Sequence, residues 1–469
     1  MAKSGTKTFA CTECGAETPK WAGRCPNCSA WNTLVEHKVP AVSPRGVSLG
    51  DGSAPLELSQ VDIADAPRFA LPFREVNRVL GGGIVPGSLT LIGGDPGIGK
   101  STLMLQLAQA VASERRAVLY VSGEESPQQI KLRADRLGIA GQRLLLLAET
   151  DLDQVLQRLA EVKPALAIVD SIQTMYLPSL DAAAGSVAQV RECALRLMQW
   201  AKSSGIPVLI AGHVTKDGVI AGPRLLEHMV DVVLYLEGEA SGPLRILRGV
   251  KNRFGSTNEV GIFEMRDAGL VEVDNPSRAF LAHRQETARG SVIVPVLEGT
   301  RPLLVEVQAL VTPTSLPAPR RTSNGFDTNR VLLIAAVLTK HLGVPLGAQD
   351  IIVNVAGGLR ITEPAADLGV ALAILSSYRD APLKAATVAF GEVGLSGELR
   401  PVSQTSRRLG EAAALGFTSC VLPQSQTPPE APNGLTLLAA TTLREAIRLG
   451  LASSVDRRPR PVMGSDEDL

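Results

Sequence analysis

At 469 residues the chain is too long for a single hydrophobic core and predicts about two to four domains. Its 45% apolar and 20% charged residues exclude a disordered or fibrous protein. Lys plus Arg and Asp plus Glu number 47 each, so any contact with nucleic acid requires a local basic surface or a ring of subunits. The chain starts with the polar, basic MAKSGTKTF and has no apolar run near the ~20 residues of a membrane span, which predicts a cytoplasmic protein without membrane contact.

Four of the six cysteines lie in CTECGAETPKWAGRCPNC, at residues 11–28. Two C-x-x-C knuckles suit a tetrahedral Zn²⁺ ion, because each supplies two thiolates from one tight turn. The alternative of disulfides or redox pairs is disfavoured in a reducing compartment. We predict a four-cysteine zinc finger over residues 1–36, with Trp21 and Trp31 packed over the metal. The predicted ligands are Cys11, Cys14, Cys25 and Cys28.

A Pro-, Gly- and Ser-rich stretch follows and predicts a linker over residues 37–66. Over residues 67–270, short apolar runs alternate with amphipathic stretches of helical length. This alternation predicts an α/β domain with a mainly parallel, buried sheet. The remaining cysteines, Cys193 and Cys420, are expected to be plain core residues.

The sequence GDPGIGKST matches the phosphate-loop pattern G-x-x-x-x-G-K-[ST] and lies between a predicted strand and a predicted helix. Its glycines allow backbone N–H groups to surround phosphate oxygens, Lys100 reaches the β- and γ-phosphates, and Ser101 is placed to bind Mg²⁺. The predicted nucleotide-binding residues are Gly94, Asp95, Pro96, Gly97, Ile98, Gly99, Lys100, Ser101 and Thr102.

Further polar residues follow neighbouring predicted strands, at the edge where ligands of such sheets bind. Asp170 ends ALAIVD and is placed to bind Mg²⁺, although it could also cap a turn. Glu124 and Glu125 end VLYVSGEE, and either could orient an attacking water, or both could belong to a solvated turn. His213 ends PVLIAGH and either senses the γ-phosphate or is structural.

The segment VLGGGIVPGSLTLIGGDPGIGKST resembles the start of a RecA-type ATPase core. Together with the four-cysteine segment, KNRFG and the region after it, the chain from Cys11 to about residue 450 resembles the bacterial RadA (Sms) family of DNA-repair proteins. The resemblance implies an ATPase whose catalytic glutamate is Glu124 rather than Glu125. It also places His213 where RecA has a nucleotide-sensing glutamine.

The KNRFG sequence places Lys251 and Arg253 two positions apart, on one face of a predicted strand. Alternate charges on a strand usually face water. The resemblance instead implies that both cations reach the nucleotide of a neighbouring subunit, as an arginine finger does.

RadA also resembles ring-shaped helicases of the DnaB type, which implies a hexameric ring. Two Gly-containing loops are candidates for lining its channel: residues 174–187, and residues 214–228 with Lys216 and Arg224. The implied partners are single-stranded DNA, branched recombination intermediates and RecA.

After a predicted connector at residues 271–289, residues 290–455 resemble the α+β proteolytic domain of the Lon protease, and residues 456–469 are expected to be disordered. Gly369 stands at the position of Lon's nucleophilic serine, and Ser406 lies near that of its lysine, so proteolysis is not expected. The candidate phosphate contacts in this domain are Arg320, Arg321 and Arg330.

The sequence therefore favours an ATP-driven motor, a helicase or branch-migration enzyme that processes recombination intermediates with RecA. The cofactors would be ATP, Mg²⁺ and Zn²⁺. The alternatives are an ATP-dependent protein unfoldase or protease that uses the Lon-like domain, and a nucleotide-gated scaffold without enzymatic activity.

Overall fold

The computed structural model describes residues 7–11, 17–18, 20–27, 29–38, 57, 68–113, 116–213, 226–238, 242–282, 284–285, 288–426 and 430–452. The chain divides into two compact units, Met1–Val273 and Asp274–Leu469. Within the described ranges, no helix is both long enough and apolar enough to cross a membrane.

A small antiparallel sheet of order β2-β1-β3 lies near the start of the first unit. Its strands are β1 (Lys7–Cys11), β2 (Glu17–Thr18) and β3 (Leu34–Lys38). Cys11, Cys25 and Leu34 are buried together, with Phe9 packed beside them. The expected packing of the tryptophans over this cluster is wrong, because Trp21 is 59% and Trp31 70% exposed. Large apolar side chains are more often buried than exposed, but this tendency has exceptions. A module with so small a core leaves some of them at its surface.

The main sheet of the first unit has the order β12-β11-β10-β9-β4-β8-β7-β5-β6 among the described residues. The strands are β4 (Leu89–Gly94), β5 (Val118–Ser122), β6 (Leu144–Ala148), β7 (Leu166–Asp170), β8 (Val208–His213), β9 (Val232–Glu237), β10 (Leu244–Asn252), β11 (Val260–Arg266) and β12 (Gly269–Glu272). The strands from β4 to β9 pair in parallel, and β9 to β12 pair antiparallel. Every residue of β4, β5 and β7 is buried, as expected for parallel strands covered on both faces.

Helices cover both faces of this sheet. They are α1 (Arg74–Leu80), α2 (Lys100–Val111), α3 (Pro127–Arg136), α4 (Leu152–Val162) and α5 (Val187–Ser204). Apolar residues of α1, α2 and α3 form one core cluster, and those of α4 and α5 form the other. Cys193 of α5 is fully buried, and burial raises the pKa of its thiol to about 12. The prediction of a plain core cysteine is therefore confirmed, and the same burial raises the pKa of Cys420.

The first candidate DNA loop, residues 174–187, is tied to the body of the unit by Gln189. The Gln189 side chain is 1% exposed, accepts a hydrogen bond from the Leu177 N–H at 2.8 Å and donates to the carbonyls of Leu177, Leu180 and Ala182. The loop contains Asp181 but no Lys or Arg. It is therefore an anchored loop without basic side chains, which gives little support for direct phosphate contacts from this segment.

The second unit contains a mixed sheet of order β15-β16-β14-β13-β17-β20-β21 and a small hairpin, β18-β19. The strands are β13 (Ser291–Glu298), β14 (Arg301–Pro313), β15 (Arg321–Asn324), β16 (Gln349–Val355), β17 (Thr387–Ala389), β18 (Glu392–Val393), β19 (Leu399–Arg400), β20 (Ser419–Pro423) and β21 (Thr436–Ala440). The helices are α6 (Pro276–Leu281), α7 (Thr328–Leu342), α8 (Asp367–Tyr378), α9 (Thr405–Ala414) and α10 (Leu443–Gly450). Strands β13 and β14 pair antiparallel, as do β18 and β19.

A neighbouring side chain fills the space at the position that corresponds to Lon's serine. A Cβ atom built on Gly369 of α8 would lie 2.2 Å from Cγ2 of Val294, so even the first carbon of a serine side chain does not fit. Ser406, near the position of Lon's lysine, is exposed on α9. Neither residue of the Lon catalytic pair is therefore present, and the serine position also lacks the room for a side chain.

A buried arginine lies two residues after Ser406. Arg408 is 0% exposed and donates to the Glu363 carboxylate at 2.6 and 2.8 Å. It also donates to the carbonyl oxygens of Pro295 at 2.6 Å and Ser403 at 3.0 Å. One side chain thus joins α9 to β13 and to the turn before α8.

Replacing Arg408 by methionine is expected to destabilise the second unit by about 3–5 kcal/mol, because Glu363 and two carbonyl groups lose a buried cationic donor. For a unit of this size the loss corresponds to a fall in melting temperature of roughly 6–20 °C, measurable by calorimetry. Arg407→Met is the matched control, since that exposed side chain donates only to the Thr300 carbonyl among the contacts described. Equal melting temperatures for the two variants would contradict a structural role for the buried pair.

Candidate active site

The phosphate loop connects β4 to α2, as the motif predicts. Gly97 has φ +77°, and a Cβ atom on it would meet nothing within 4 Å, so the loop backbone is open towards the cleft at this point. Gly94 has φ +151°, and a Cβ atom there would lie 2.5 Å from the Leu236 carbonyl oxygen. The loop ends at the N-terminus of α2, whose free N–H groups and dipole attract an anion.

Lys100 is the first residue of α2 and is 4% exposed. Its ammonium group donates to the carbonyl oxygens of Gly94 at 2.8 Å and Asp95 at 3.0 Å. Burial lowers the pKa of Lys100, whereas the nearby carboxylates, Asp170 first among them, act in the opposite direction. The side chain is thus folded back over the loop, where a bound phosphate could replace its carbonyl partners.

Asp170 lies at the end of β7 and is 6% exposed. The Tyr120 hydroxyl, on the neighbouring strand β5, donates to its Oδ2 at 2.6 Å. Burial and the adjacent Asp170 carboxylate raise the pKa of Tyr120 well above its usual value. Tyr120 therefore stays a hydrogen-bond donor that fixes the orientation of the carboxylate. Sequence reasoning missed this role, although a tyrosine between Leu119 and Val121 in a buried strand was a usable signal.

The two glutamates after β5 have different partners. Glu125 forms an ion pair with Arg133 of α3. Glu124 is exposed and accepts a hydrogen bond from the Ser171 hydroxyl, next to Asp170. Of the two carboxylates, Glu124 is therefore the one tied to the residue that follows Asp170, and the choice of Glu124 as the catalytic glutamate stays a prediction.

These residues line one cleft of about 280 Å³ at the carboxyl edge of the sheet. Its walls contain Gly97, Gly99, Lys100, Ser101, Thr102, Ser122, Glu124, Glu125, Arg133, Arg136 and Asp170. Sequence reasoning missed Arg133 and Arg136, which lie three residues apart on the helix that follows the glutamates. That spacing places both on one helix face and could have identified them.

The backbone of His213 ends β8 directly beside Gly94, the first residue of the phosphate loop. Its side chain lies outside the described part of the structure, as do Lys216 and Arg224 of the second candidate DNA loop. A second cavity of about 180 Å³ shares Thr102 and Arg136 with the cleft, and Met265 and Gly269 contribute to its walls.

Lys251 and Arg253 both contact the segment that leads into β9. The Lys251 ammonium group donates to the carbonyl oxygens of Glu227 at 2.6 Å and His228 at 3.3 Å. Arg253 pairs with Asp231 at 3.1 Å. Burial and, secondly, the nearby Arg253 lower the pKa of Lys251. The two cations are therefore neighbours, as their spacing predicts.

Both cations lie far from the phosphate loop of their own chain. Lys251 pairs with Val233, and Val233 pairs with Leu91, which precedes Gly94 by three residues. Arg253 lies further along, since its N–H bonds the Asp231 carbonyl, and the Asp231 N–H bonds the Leu89 carbonyl. At ~3.3 Å per residue and ~4.8 Å between strands, the Arg253 backbone is on the order of 20 Å from Gly94. An arginine side chain does not span that distance.

The candidate phosphate contacts of the second unit are mostly engaged elsewhere. Arg330 forms an ion pair with the fully buried Asp367, which gives it a structural role, and its role as a DNA contact stays a prediction. Arg321 donates to the Leu346 carbonyl at 3.0 Å. The Arg320 backbone N–H donates to Asp350 at 2.7 Å, and its side chain is exposed.

The described part of the cysteine module fits a zinc site. Cys11 and Cys25, one from each knuckle, are both 1% exposed and belong to one cluster. The second knuckle closes as a tight turn, with the Ser29 N–H donating to the Cys25 carbonyl at 2.9 Å. Cys14 and Cys28 lie outside the described residues. Two thiols gathered from separate knuckles are the donor chemistry that Zn²⁺ prefers.

Three family models match the chain. One described as an AAA domain matches residues 53–219, and one described as a rubredoxin metal binding domain matches residues 9–36. The third, subunit ChlI of Mg-chelatase, matches residues 327–426. Together with the sheets described above, these matches confirm the predicted fold class: a zinc ribbon, a RecA-type phosphate-loop core with a mostly parallel sheet, and a C-terminal α+β domain.

Several curated proteins match almost the whole chain. The DNA repair protein RadA of Halalkalibacterium halodurans is 52% identical over 456 residues, covering 96% of this chain and 100% of the relative. The DNA repair protein RadA of Bacillus subtilis is 51% identical, with coverage of 96% and 100%, and that of Pseudomonas aeruginosa is 49% identical, with coverage of 95% and 99%. Among solved structures, a crystal structure of the RadB recombinase matches at 24% identity with a TM-score of 0.35, covering 43% of this chain and 98% of that one.

Proposed function

The chain belongs to the RadA family of DNA repair proteins, and we propose that it is a DNA-dependent ATPase motor whose active sites are shared between neighbouring subunits of a ring. The observation that carries this proposal is the position of Lys251 and Arg253. At strand spacings the backbone of Lys251 is roughly 14 Å, and that of Arg253 on the order of 20 Å, from Gly94 of their own phosphate loop, towards the opposite edge of the sheet. Cations in that position can serve a nucleotide only if it is held by another subunit.

ATP would occupy the cleft at the carboxyl edge of the sheet. Its phosphates would lie on the loop and the start of α2, and its base and ribose would enter the second cavity beside Met265 and Gly269. Ser101 and Asp170 would hold Mg²⁺, which neutralises phosphate charge when it is bound. Glu124, held beside Asp170 through Ser171, would orient the attacking water.

The shared site would need both cations to leave or extend their present contacts. Arg253 has a side chain that is 48% exposed although it is paired with Asp231. Lys251 is held by two backbone carbonyl oxygens rather than by a carboxylate. Phosphate oxygens carry more charge than a carbonyl oxygen, so a neighbour's γ-phosphate can compete for Lys251, and it can meet the exposed donors of Arg253 that Asp231 does not use. A closed ring, by repeating one heterologous interface, would complete every site in this way.

DNA and RecA would be the partners of this motor in homologous recombination, with single-stranded DNA and branched intermediates as substrates. The proposal is tested by measuring ATP hydrolysis with and without single-stranded DNA. We expect DNA to stimulate hydrolysis and the stimulation to fall with rising salt, because phosphate contacts release counterions. Hydrolysis that is indifferent to DNA would contradict the proposal.

A protein unfoldase is the second candidate, because the C-terminal domain retains a Lon-like fold. Proteolysis is not part of it, since Gly369 leaves no room for a nucleophile. ATP hydrolysis stimulated by an unfolded protein but not by DNA would favour the unfoldase over the motor.

The cysteine module is proposed to bind one Zn²⁺ ion through Cys11, Cys14, Cys25 and Cys28. Replacing Cys25 by serine is expected to release the metal and unfold this module, since a core this small depends on the ion for its folding energy. Elemental analysis should then give one zinc per chain for the unaltered protein and little for the variant. Cys193→Ser is the matched control, because that buried thiol lies in α5 and should leave the zinc content unchanged. Equal zinc in both variants would contradict the assignment.

A further inference from the structure

We propose that Asp231 is a positioning residue, which holds Arg253 in place for the phosphate of the neighbouring subunit. This inference rests on the shared active site proposed above. Asp231 lies immediately before β9 and is 2% exposed, so its carboxylate is buried close to the surface position of Arg253. A buried carboxylate requires compensating donors, and those around Asp231 indicate its role.

Asp231 holds Arg253 at two points. The Asp231 carbonyl oxygen accepts the Arg253 backbone N–H at 3.1 Å, which fixes the chain just after β10. The carboxylate Oδ1 accepts Arg253 Nη1, also at 3.1 Å. A guanidinium group has five N–H donors, and the Arg253 side chain is 48% exposed. Asp231 can therefore fix the direction of the side chain while leaving donors free to meet an anion from outside.

The other contacts of Asp231 show why this carboxylate can hold the arginine without trapping it. Its Oδ2 accepts the Leu89 N–H at 3.1 Å, at the first residue of β4. Lys202 of α5 places its ammonium group 3.7 Å from Oδ1. When Arg253 turns towards a phosphate, Lys202 and the Leu89 N–H still compensate the buried charge. The Arg253–Asp231 bond can therefore lengthen as the arginine meets a phosphate without leaving the buried carboxylate uncompensated.

If the role of Asp231 were purely structural, a different experimental result would be expected. Through Leu89, Asp231 also supports the strand that carries the phosphate loop of its own chain. If that support were its main contribution, loss of the carboxylate would damage the subunit's own nucleotide site. If Asp231 acts through Arg253, the damage falls on the neighbour's site, and the subunit's own loop stays intact. Mixing experiments between variants separate these two cases.

The test uses the full chain with Asp231→Asn, because the asparagine side-chain oxygen can still accept the Leu89 N–H although the charge is lost. We expect a drop of about 10- to 100-fold in kcat for ATP hydrolysis, with little change in the binding of ATP to the subunit's own loop. Asp380→Asn is the matched control, since it removes an exposed aspartate paired with Arg289 in the second unit and should leave hydrolysis unchanged. If the Asp231→Asn protein melts at a lower temperature, hydrolysis by both proteins is compared at a temperature at which both are fully folded, and a kcat equal to that of the unaltered chain there would overturn the inference.

The decisive measurement mixes Asp231→Asn chains with Lys100→Ala chains, beside a reference mixture of Arg253→Ala with Lys100→Ala. We expect each mixture to hydrolyse ATP faster than any of the three variants does alone. Regain in the reference mixture but not with Asp231→Asn would overturn the positioning role and leave the shared site standing. A lack of regain in the reference mixture would overturn the shared site itself, and full activity of Asp231→Asn alone would overturn the inference directly.

Discussion

Replacing Lys100 by alanine is expected to lower ATP hydrolysis by about 10²- to 10³-fold or more, because the cleft loses the one lysine that lines it beside the bound phosphates. Among the hydrogen bonds described, the buried ammonium group contacts only carbonyl oxygens of the loop, so its removal breaks no direct ion pair, although Asp170 loses a nearby positive charge. The fold should persist, and a calorimetric melting curve close to that of the unaltered chain would show this.

Lys131→Ala is the matched control for this experiment. Lys131 is 60% exposed on α3 and pairs with Asp135, so it lies in the same unit but outside the cleft. It should hydrolyse ATP at the unaltered rate. If Lys100→Ala hydrolyses ATP at that same steady-state rate, the cleft is not the site of hydrolysis.

Replacing Arg253 by alanine is expected to lower kcat by roughly 10³- to 10⁵-fold, the range lost when an arginine finger is removed. ATP binding should persist, because Arg253 lies on the order of 20 Å from its own phosphate loop. A fluorescent ATP analogue titrated onto both proteins measures this directly. Arg158→Ala is the control. It removes an exposed arginine of α4 that belongs neither to the cleft nor to the KNRFG segment. Loss of binding together with hydrolysis would place Arg253 in its own subunit's site instead.

The residues of the nucleotide site that sequence could identify are those fixed by local geometry. The phosphate loop needs glycines at set positions between a strand and a helix, and Asp170 follows directly from the end of a buried strand. The apolar runs likewise predict the parallel strands β4, β5, β7, β8 and β9. They miss β6 (Leu144–Ala148), a strand at the edge of the sheet in which no residue is fully buried.

What the sequence could not supply are pairings between distant segments. Arg330 looked like a phosphate contact, but it pairs with Asp367, which is 37 residues away and buried in α8. Asp231 carried no local signal, since its partners come from β4, α5 and the end of β10. The prediction that Trp21 and Trp31 pack over the cysteine cluster was also wrong. The apolar character of a side chain does not show whether a small module can cover so large a ring.

Mixing Arg253→Ala chains with Lys100→Ala chains tests the shared site most directly. In a randomly mixed heterologous ring, about one interface in four would join an intact phosphate loop to a neighbour's intact Arg253. For an equal mixture we expect up to about a quarter of the unaltered hydrolysis to return, although neither variant is active alone. Exchange of subunits is checked first by pulling down mixed rings through a tag on one variant. If mixed rings form and no hydrolysis returns, Lys100 and Arg253 do not act in one site built from two subunits.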